Sequence, residues 1–374
     1  MRRTLLCSIL AIAGCGMPVV TEPETGVTTD GGATNDAGVV VDAGLDAGVD
    51  AGAGIDAGVD AGAPDAGTQD AGVVDAGVDA GVDAGVDAGT SVDAGIDAGT
   101  ADAGNPNRYV RGSLSGCWRN PNCPRVFSIA HGGSWTTSIP YDSNGAIAAS
   151  YADGTDGVKI DVRVTSDNVP VISHSSPLEI FESIDCYNRV IETSTAAQVT
   201  ACHRVPSTTE KFQRLDDVLN YLRGKMVVQL TVKRTVDFAR TIQEVHALNA
   251  EDYAFLEVNV GDLPMVAQLP GASTVFFVVN VASTPADADL VVDGGFPNAF
   301  IVEFDPPVDP AAITTQKLHP NGFRSFTYTN AASPSVSDLK ALFDKGYDIV
   351  SSQNGPNGVA ARQQVNTARG FSPP

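Results

Sequence analysis

Gly157-Val158-Lys159-Ile160-Asp161-Val162-Arg163-Val164-Thr165-Ser166-Asp167-Asn168-Val169-Pro170-Val171-Ile172-Ser173-His174 is the stretch whose reading decides the fold. Its first half reads as a strand, Ser166-Asp167-Asn168 as a turn, and the residues after it as a short return strand. That path brings His174 back to the rim toward which Lys159 and Asp161 point. Seven further apolar, β-branched runs read as strands: Phe127 to Gly133, Lys225 to Lys233, Tyr253 to Val260, Thr274 to Val281, Asn298 to Phe304, Gly322 to Asn330 and Asp348 to Ser352. Between them Gly145 to Tyr151, Arg214 to Leu222, Asp237 to Leu248 and Ser335 to Phe343 read as helices, with weaker candidates around Leu263, Asp289 and Ala311. Eight strand-then-helix units in about 260 residues predict an α/β fold, a (β/α)8 TIM barrel. Chemistry in such a barrel sits at the strand C-termini, so the polar strand ends are the candidate set: His131, Lys159, Asp161, Thr231, Lys233, Glu257, Asn259, Glu303 and Asp305. Alternation decides whether each faces the lumen or the helices.

Outward from that barrel the composition changes abruptly. The chain has 374 residues and a formal charge of −22, yet residues 16 to 107 hold 18 Asp and Glu and no Lys or Arg, while residues 108 to 374 hold 27 acidic and 21 basic side chains. The acidity is mostly in a tail, and the 108–374 domain is only mildly acidic. No basic patch is left for nucleic acid or for anionic lipid headgroups. From Asp36 to Gly104 the chain repeats Asp-Ala-Gly-Val with small variations and no aromatic residue, so it has too little apolar surface to offset ordering. Residues 15–107 are therefore expected to be a disordered tether with a root-mean-square span of roughly 50 Å. The four-residue period does not match the nine-residue repeat of a calcium-binding β-helix.

Residues 1–14 read as a signal peptide, with Arg2-Arg3, the apolar run Leu5 to Ala13, and Ile12-Ala13-Gly14-Cys15 at the cleavage site. That site resembles a bacterial lipoprotein lipobox, which implies lipidation at Cys15. The expectation is an exported, membrane-anchored lipoprotein facing the periplasm or cell surface and held by lipid rather than spanning the bilayer. Export leaves Cys117, Cys123, Cys186 and Cys202 in an oxidising compartment, where local pairing gives Cys117–Cys123 and Cys186–Cys202. Three pairings are formally possible, and a four-cysteine zinc site lacks its usual knuckle spacing. Oligomeric state is not legible.

Two imidazoles, His131 in Ser128-Ile129-Ala130-His131-Gly132-Gly133 and His174, end neighbouring segments. Opposed histidines suit phosphodiester cleavage: one deprotonates the nucleophile or becomes it, and the other protonates the leaving alkoxide. A cation must then offset the phosphate charge. In these residues and their order the domain resembles the glycerophosphodiester phosphodiesterase family, the barrel shared with phospholipase C-like enzymes and sphingomyelinase D-like toxins. The likeness runs through the end of strand one, Gly154 to Leu178, Phe212 to Leu222, Gln229 to Lys233 and Phe326 to Ser352, the last holding a loose match to a Trp-Thr-Val-Asn motif in Phe326 to Asn330.

The resemblance implies that His131 and His174 are the catalytic pair, Asp161 a metal-binding carboxylate and Lys233 the phosphate-facing lysine. The family's Arg after the first histidine is Gly132 here, and the Glu of its Pro-Glu-Asn-Thr motif is Tyr141. Its two remaining metal-binding Glu positions carry Lys159 and Thr231, and Ser175 replaces an Asp after the second histidine. Mg²⁺ or Ca²⁺ needs several oxygen ligands and would be repelled by an ammonium, so no cofactor is expected unless a site is rebuilt from Asp161 with Glu257, Asn259, Glu303 or Asp305. For the pair Glu303 and Asp305 the plainer expectation is solvated strand ends that face outward.

Two further readings compete. In one, Lys159 stands where the metal was and acts with Lys233, His131 and His174 in a metal-free phosphodiesterase, as bacterial phosphatidylinositol-specific phospholipases C similarly use a basic side chain. In the other, the barrel is inactive, Lys159 and Asp161 pair internally, and the surface lipoprotein binds a ligand or acts as a scaffold. The expected partner is a small phosphodiester or lipid headgroup, with Trp135 and Tyr141 walling the pocket. His203, His246 and His319 are expected to serve surface or packing roles.

Overall fold

The computed structural model describes residues 107–371 apart from 283–285, 297, 307 and 330. The expected signal peptide, Cys15 and nearly all of the expected tether lie outside the described residues.

Nine strands form one sheet: β1 (Phe127–His131), β2 (Gly157–Val164), β3 (Pro170–Ile172), β4 (Val227–Val232), β5 (Ala254–Asn259), β6 (Phe276–Asn280), β7 (Ala299–Phe304), β8 (Arg324–Tyr328) and β9 (Ile349–Ser352). All but β3 pair in parallel in the order β1-β2-β4-β5-β6-β7-β8-β9, and β9 returns to β1, so the eight close into a TIM barrel. All eight strands expected from the sequence are present. β3 runs antiparallel to β2, pairing Val162 with Ile172, and is the expected return strand that carries the chain to His174.

The crossovers hold α1 (Asn144–Asp153), α2 (Ala196–Thr200), α3 (Leu215–Leu222), α4 (Phe238–Ala247), α5 (Leu263–Val266), α6 (Asp287–Asp293), α7 (Ala311–Ile313), α8 (Val336–Asp344) and α9 (Gly355–Ala368). Their ends follow local chemistry: the side chain of Ser143 caps α1, and Ser335 forms a reciprocal capping box on α8 with Asp338. The brief α2 and the long α9 were not among the expected helices. α9 opens with Gly355-Pro356-Asn357-Gly358, which reads as a turn, but Pro356 suits a first helical turn and Asn354 caps it. Gly358 sits close on β1: a β-carbon there would lie 2.4 Å from Ser128 Oγ, which would have to turn away.

Alternation along each strand divides the barrel. Val158, Ile160, Val162, Val228, Leu230, Leu256 and Val258 face the helices in the main core, while Phe127, Ile129, Val227, Phe255, Val278, Ile301, Phe326 and Ile349 fill the lower lumen. The N-terminal segment plugs the bottom, with Trp118 stacked on Phe127 at 4.0 Å between centroids. Fully buried Arg324 donates to the carbonyls of Cys117, Trp118, Asn120 and Cys123 at 2.5–3.0 Å, holding the loop closed by the Cys117–Cys123 disulfide. Cys186–Cys202 is the second bridge, so both local pairings expected from the sequence are present. With the floor sealed by apolar side chains and Arg324, the other charged residues of the strands lie in the upper lumen and at the rim.

Candidate active site

In the upper lumen the side chains of Lys159, Asp161, Gln229, Thr231, Lys233, Glu257 and Glu303 converge, since alternation turns them away from the helix layer. The pairing differs from both sequence expectations. Lys159 Nζ lies 2.6 Å from Glu257 Oε2 and 3.6 Å from Glu303 Oε1, and Asp161 Oδ1 is held by Lys233 Nζ at 2.9 Å. Lys159 neither pairs with Asp161 nor stands free to face a phosphate.

Glu303 is likewise not an outward, solvated strand end; it is completely buried in the lumen. Glu257 Oε2 accepts from Lys159, from Gln229 Nε2 at 2.9 Å and from Thr231 Oγ1 at 2.6 Å. Burial opposes ionisation of Glu257, but the adjacent ammonium prevails and holds its carboxyl below the usual range. Glu303 has only the longer contact to Lys159 and a 3.3 Å contact from Gln229; burial and the Glu257 charge push it up to about 8. At neutral pH the Lys159 ammonium therefore sits between one carboxylate and one carboxylic acid. Burial pulls the Lys159 pKa down, yet the two glutamates outweigh it and hold it above its ordinary value. The remaining candidates are peripheral: Asn259 is exposed at the rim, and Asp305 Oδ1 accepts the Tyr328 hydroxyl at 2.9 Å.

Asp161 is engaged on both oxygens, because the Tyr141 hydroxyl donates to Oδ2 at 3.2 Å. The Tyr141 ring occupies the space over Gly132, where a β-carbon would lie 1.9 Å from Cε2. Glycine after the first histidine and tyrosine in the following loop are thus one coordinated change: a side chain at 132 and this ring cannot coexist. Tyr141 meets His131 edge-on at 5.9 Å, His174 at 6.2 Å and Trp135 at 6.2 Å between centroids. Both histidines and Trp135 are brought together around it.

His131 is pushed down to about 4, first by burial and then by the charge of Lys159, so its imidazole is neutral at physiological pH. His174 is exposed, and its Nδ1 lies 3.0 Å from Ser175 Oγ. Beside Lys233, a cleft of about 190 Å³ opens between Thr231, Glu257 and Asn259.

Three supporting residues carried no recognisable signal in the sequence. Glu182, 4 % exposed, accepts the backbone N–H groups of His174 and Ser175, each at 3.0 Å, and fixes the turn that presents His174. Asp142 accepts the Asp161 N–H at 3.3 Å; burial and the Asp161 charge push its carboxyl well above the usual range. Buried Arg204 donates to the carbonyls of Tyr141 and Ile172, tying the Tyr141 loop to β3. The other histidines pair locally, His203 with Asp185, His246 with Glu251 and His319 with Asp348.

The model of the glycerophosphoryl diester phosphodiesterase family matches residues 135–341, more than half of the chain. The chain belongs to this family. His174, Lys159, Asp161 and Lys233 fall inside the matched stretch, and His131 lies just ahead of it. A glycerophosphoryl diester phosphodiesterase from Parabacteroides distasonis superposes with a TM-score of 0.53 at 18 % identity, covering 67 % of this chain and 92 % of its own. A glycerophosphodiester phosphodiesterase from Agrobacterium tumefaciens gives 0.52 at 16 %, covering 63 % and 99 %. An Oleispira antarctica phosphodiesterase in complex with the product sn-glycerol-3-phosphate gives 0.50 at 15 %, covering 67 % and 100 %. At such identities the likeness is one of fold. No curated protein gives a significant match.

The family's divalent ion does not fit the residues present. The one carboxylate retained from its ligand set, Asp161, is taken by an ammonium and a phenol, and Glu257 and Glu303 close on the Lys159 ammonium instead of on a metal ion. Among the described residues no group of three or more His, Cys, Asp or Glu side chains is placed to hold a metal ion.

Proposed function

We propose that the barrel mouth is a phosphodiester-hydrolysing site that works without a divalent cation. The observation that carries this reading is the placement of neutral His131 and exposed His174 about Tyr141, beside Lys233, which keeps one carboxylate partner and a fifth of its side chain open to solvent. His131 accepts the proton of the attacking hydroxyl or water, and His174 returns one to the leaving alkoxide as the P–O bond breaks. Lys233, not Lys159, is the cation that faces the phosphate, and Lys159 braces the lumen beneath it. A single ammonium is a weaker electrophile than a metal ion, so a good leaving group or an internal hydroxyl nucleophile suits this site best.

A panel of glycerophosphodiesters and phospholipids tests it, assayed with excess chelator, with added Mg²⁺ or Ca²⁺, and beside a His131→Ala control. Hydrolysis that is unchanged by chelator and absent in the control is expected; a rate that needs added ion overturns the reading. A second reading is favoured by the carboxylate partners of both ammoniums, which leave no excess positive charge for a phosphate. Under it the barrel binds a ligand without turnover, and the whole panel stays at the control rate.

The same proposal places the protein outside the cytoplasm, anchored by lipid at Cys15. Cys15→Ser is expected to move the protein from the membrane fraction to the soluble fraction; unchanged partition overturns the anchor.

A further inference from the structure

The segment that follows His174 is built inside out. Among the described residues ten large apolar side chains are exposed, and five of them, Ile180, Phe181, Ile184, Tyr187 and Val190, crowd into this one excursion at 37–71 % exposure. The others, Tyr151, Tyr221, Val236, Met265 and Leu290, are scattered singly over separate helices and turns, as on any surface. Two polar residues of the same excursion, Glu182 and Ser183, are buried. Glu182 is buried on the backbone of His174 and Ser175, Ser183 Oγ donates to Asp185 and to the His203 carbonyl, and Asp185 pairs with His203.

The shape is held by the Cys186–Cys202 disulfide and by paired backbone hydrogen bonds, Leu178 N to Arg189 O and Asn188 N to Leu178 O. The exposed side chains are thus presented by a braced support. They also adjoin the chemistry: Phe181 meets the His174 ring at 6.1 Å, and a cleft of about 470 Å³ runs from His174 and Ser175 to Leu178, Ile180 and Tyr187.

We propose that this apolar excursion docks on the surface of a zwitterionic lipid bilayer, with the cleft beside His174 receiving a headgroup from it. A patch of Ile, Phe and Val with one amphipathic Tyr suits the boundary between headgroups and acyl chains. Charge selects the lipid: the 108–374 domain carries 27 acidic and 21 basic residues, and the excursion sets Glu179 and Asp185 against Arg189, with Arg163 in the cleft, so the face has no excess positive charge to attract anionic lipid. A second copy of the chain would need no lipid and no cleft leading to His174. The expected anchor at Cys15 would hold the same domain near such a surface. The proposal rests on the phosphodiester reading only in supposing that the headgroup is then hydrolysed.

The test uses the full chain carrying Cys15→Ser, so that no anchor adds to binding, and phosphatidylcholine vesicles in a flotation assay. Binding is expected that survives high salt and weakens about tenfold or more for Ile184→Ser with Val190→Ser, two exposed side chains outside the cleft, as burial of two branched apolar side chains implies. Ile184→Trp should show a blue-shifted fluorescence on vesicle addition. Thermal stability and turnover of a short soluble diester should stay unchanged in the serine variant, because these side chains are exposed and outside the His131, His174 and Lys233 set. No binding to phosphatidylcholine, equal binding by the variant, or binding that requires anionic lipid and fails at high salt would each overturn the proposal, as would lipid-free dimerisation through the same residues. Vesicle binding without hydrolysis of any diester would leave docking intact and defeat the phosphodiesterase reading alone.

Discussion

Lys159→Met is expected to lower the stability of the barrel by about 3–5 kcal/mol at pH 8, because it removes the ammonium that bridges the partly exposed Glu257 and the fully buried Glu303. Glu257 keeps its bonds from Gln229 and Thr231 but loses its charge partner, and Glu303 can no longer share that partner. The sign with pH follows from the same argument. Without Lys159 both carboxyls titrate above their unfolded values, so the folded variant is penalised where the unfolded chain has released its protons. The deficit should therefore shrink as the pH falls toward 5 and grow as it rises. Urea unfolding at pH 8 and pH 5, with both disulfides intact, measures it. Adding Glu257→Gln to Lys159→Met should recover most of the loss, since a neutral amide needs no counter-ion. A loss below about 1 kcal/mol at pH 8 would mean that water reaches the lumen and that Lys159 is not structural.

His131→Ala is expected to reduce kcat/KM on the best diester by about 10²- to 10⁴-fold, the usual worth of a positioned proton acceptor. Its pH behaviour separates this role from simple packing. The native imidazole stays neutral down to about pH 4, so the acid limb of the kcat/KM profile belonging to His131 should lie near that value and not near 6.5. The stability consequence has the same origin: between pH 6.5 and about 4 the unfolded chain takes up a proton that native His131 refuses. Stability contributed by this residue is thus present at neutral pH and is lost as the pH falls through that window. The ring C–H resonance of His131, followed by NMR, reads the titration directly; a midpoint near 6.5 would show the ring solvated and remove the basis for its assignment as base.

Much of the barrel was legible because strand formation and burial are local properties of the chain. The branched apolar runs found their places as β1, β2 and β4 to β9, and the turn at Ser166 to Asn168 with its return strand carried His174 to the rim. α9 was not legible, because Gly355 and Gly358 look like turn residues until the strand they pack against is known. At the site, the resemblance identified which positions had changed, but not what the replacements touch. Gly132 and Tyr141 looked like two separate departures and proved to be one packing unit, and Lys159 took as partners Glu257 and Glu303, of which Glu303 was expected to be solvated.

By itself the sequence determined the barrel, its eight strands, the two local disulfides and the resemblance to a phosphodiesterase family, but it set Glu303 on the wrong face. Alternation fixes the side of the sheet on which a residue stands, and that information is contained in a few neighbouring positions. Only the tertiary structure decided which charges meet across the lumen, which oxygen of Asp161 each donor takes, and that Ile180, Phe181, Ile184 and Tyr187 face solvent. Those outcomes depend on barrel closure, which brings β2 against the side chains of β5 and β7 far along the chain, and on a disulfide-held excursion in which an apolar residue has no local sign telling it from one bound for the core.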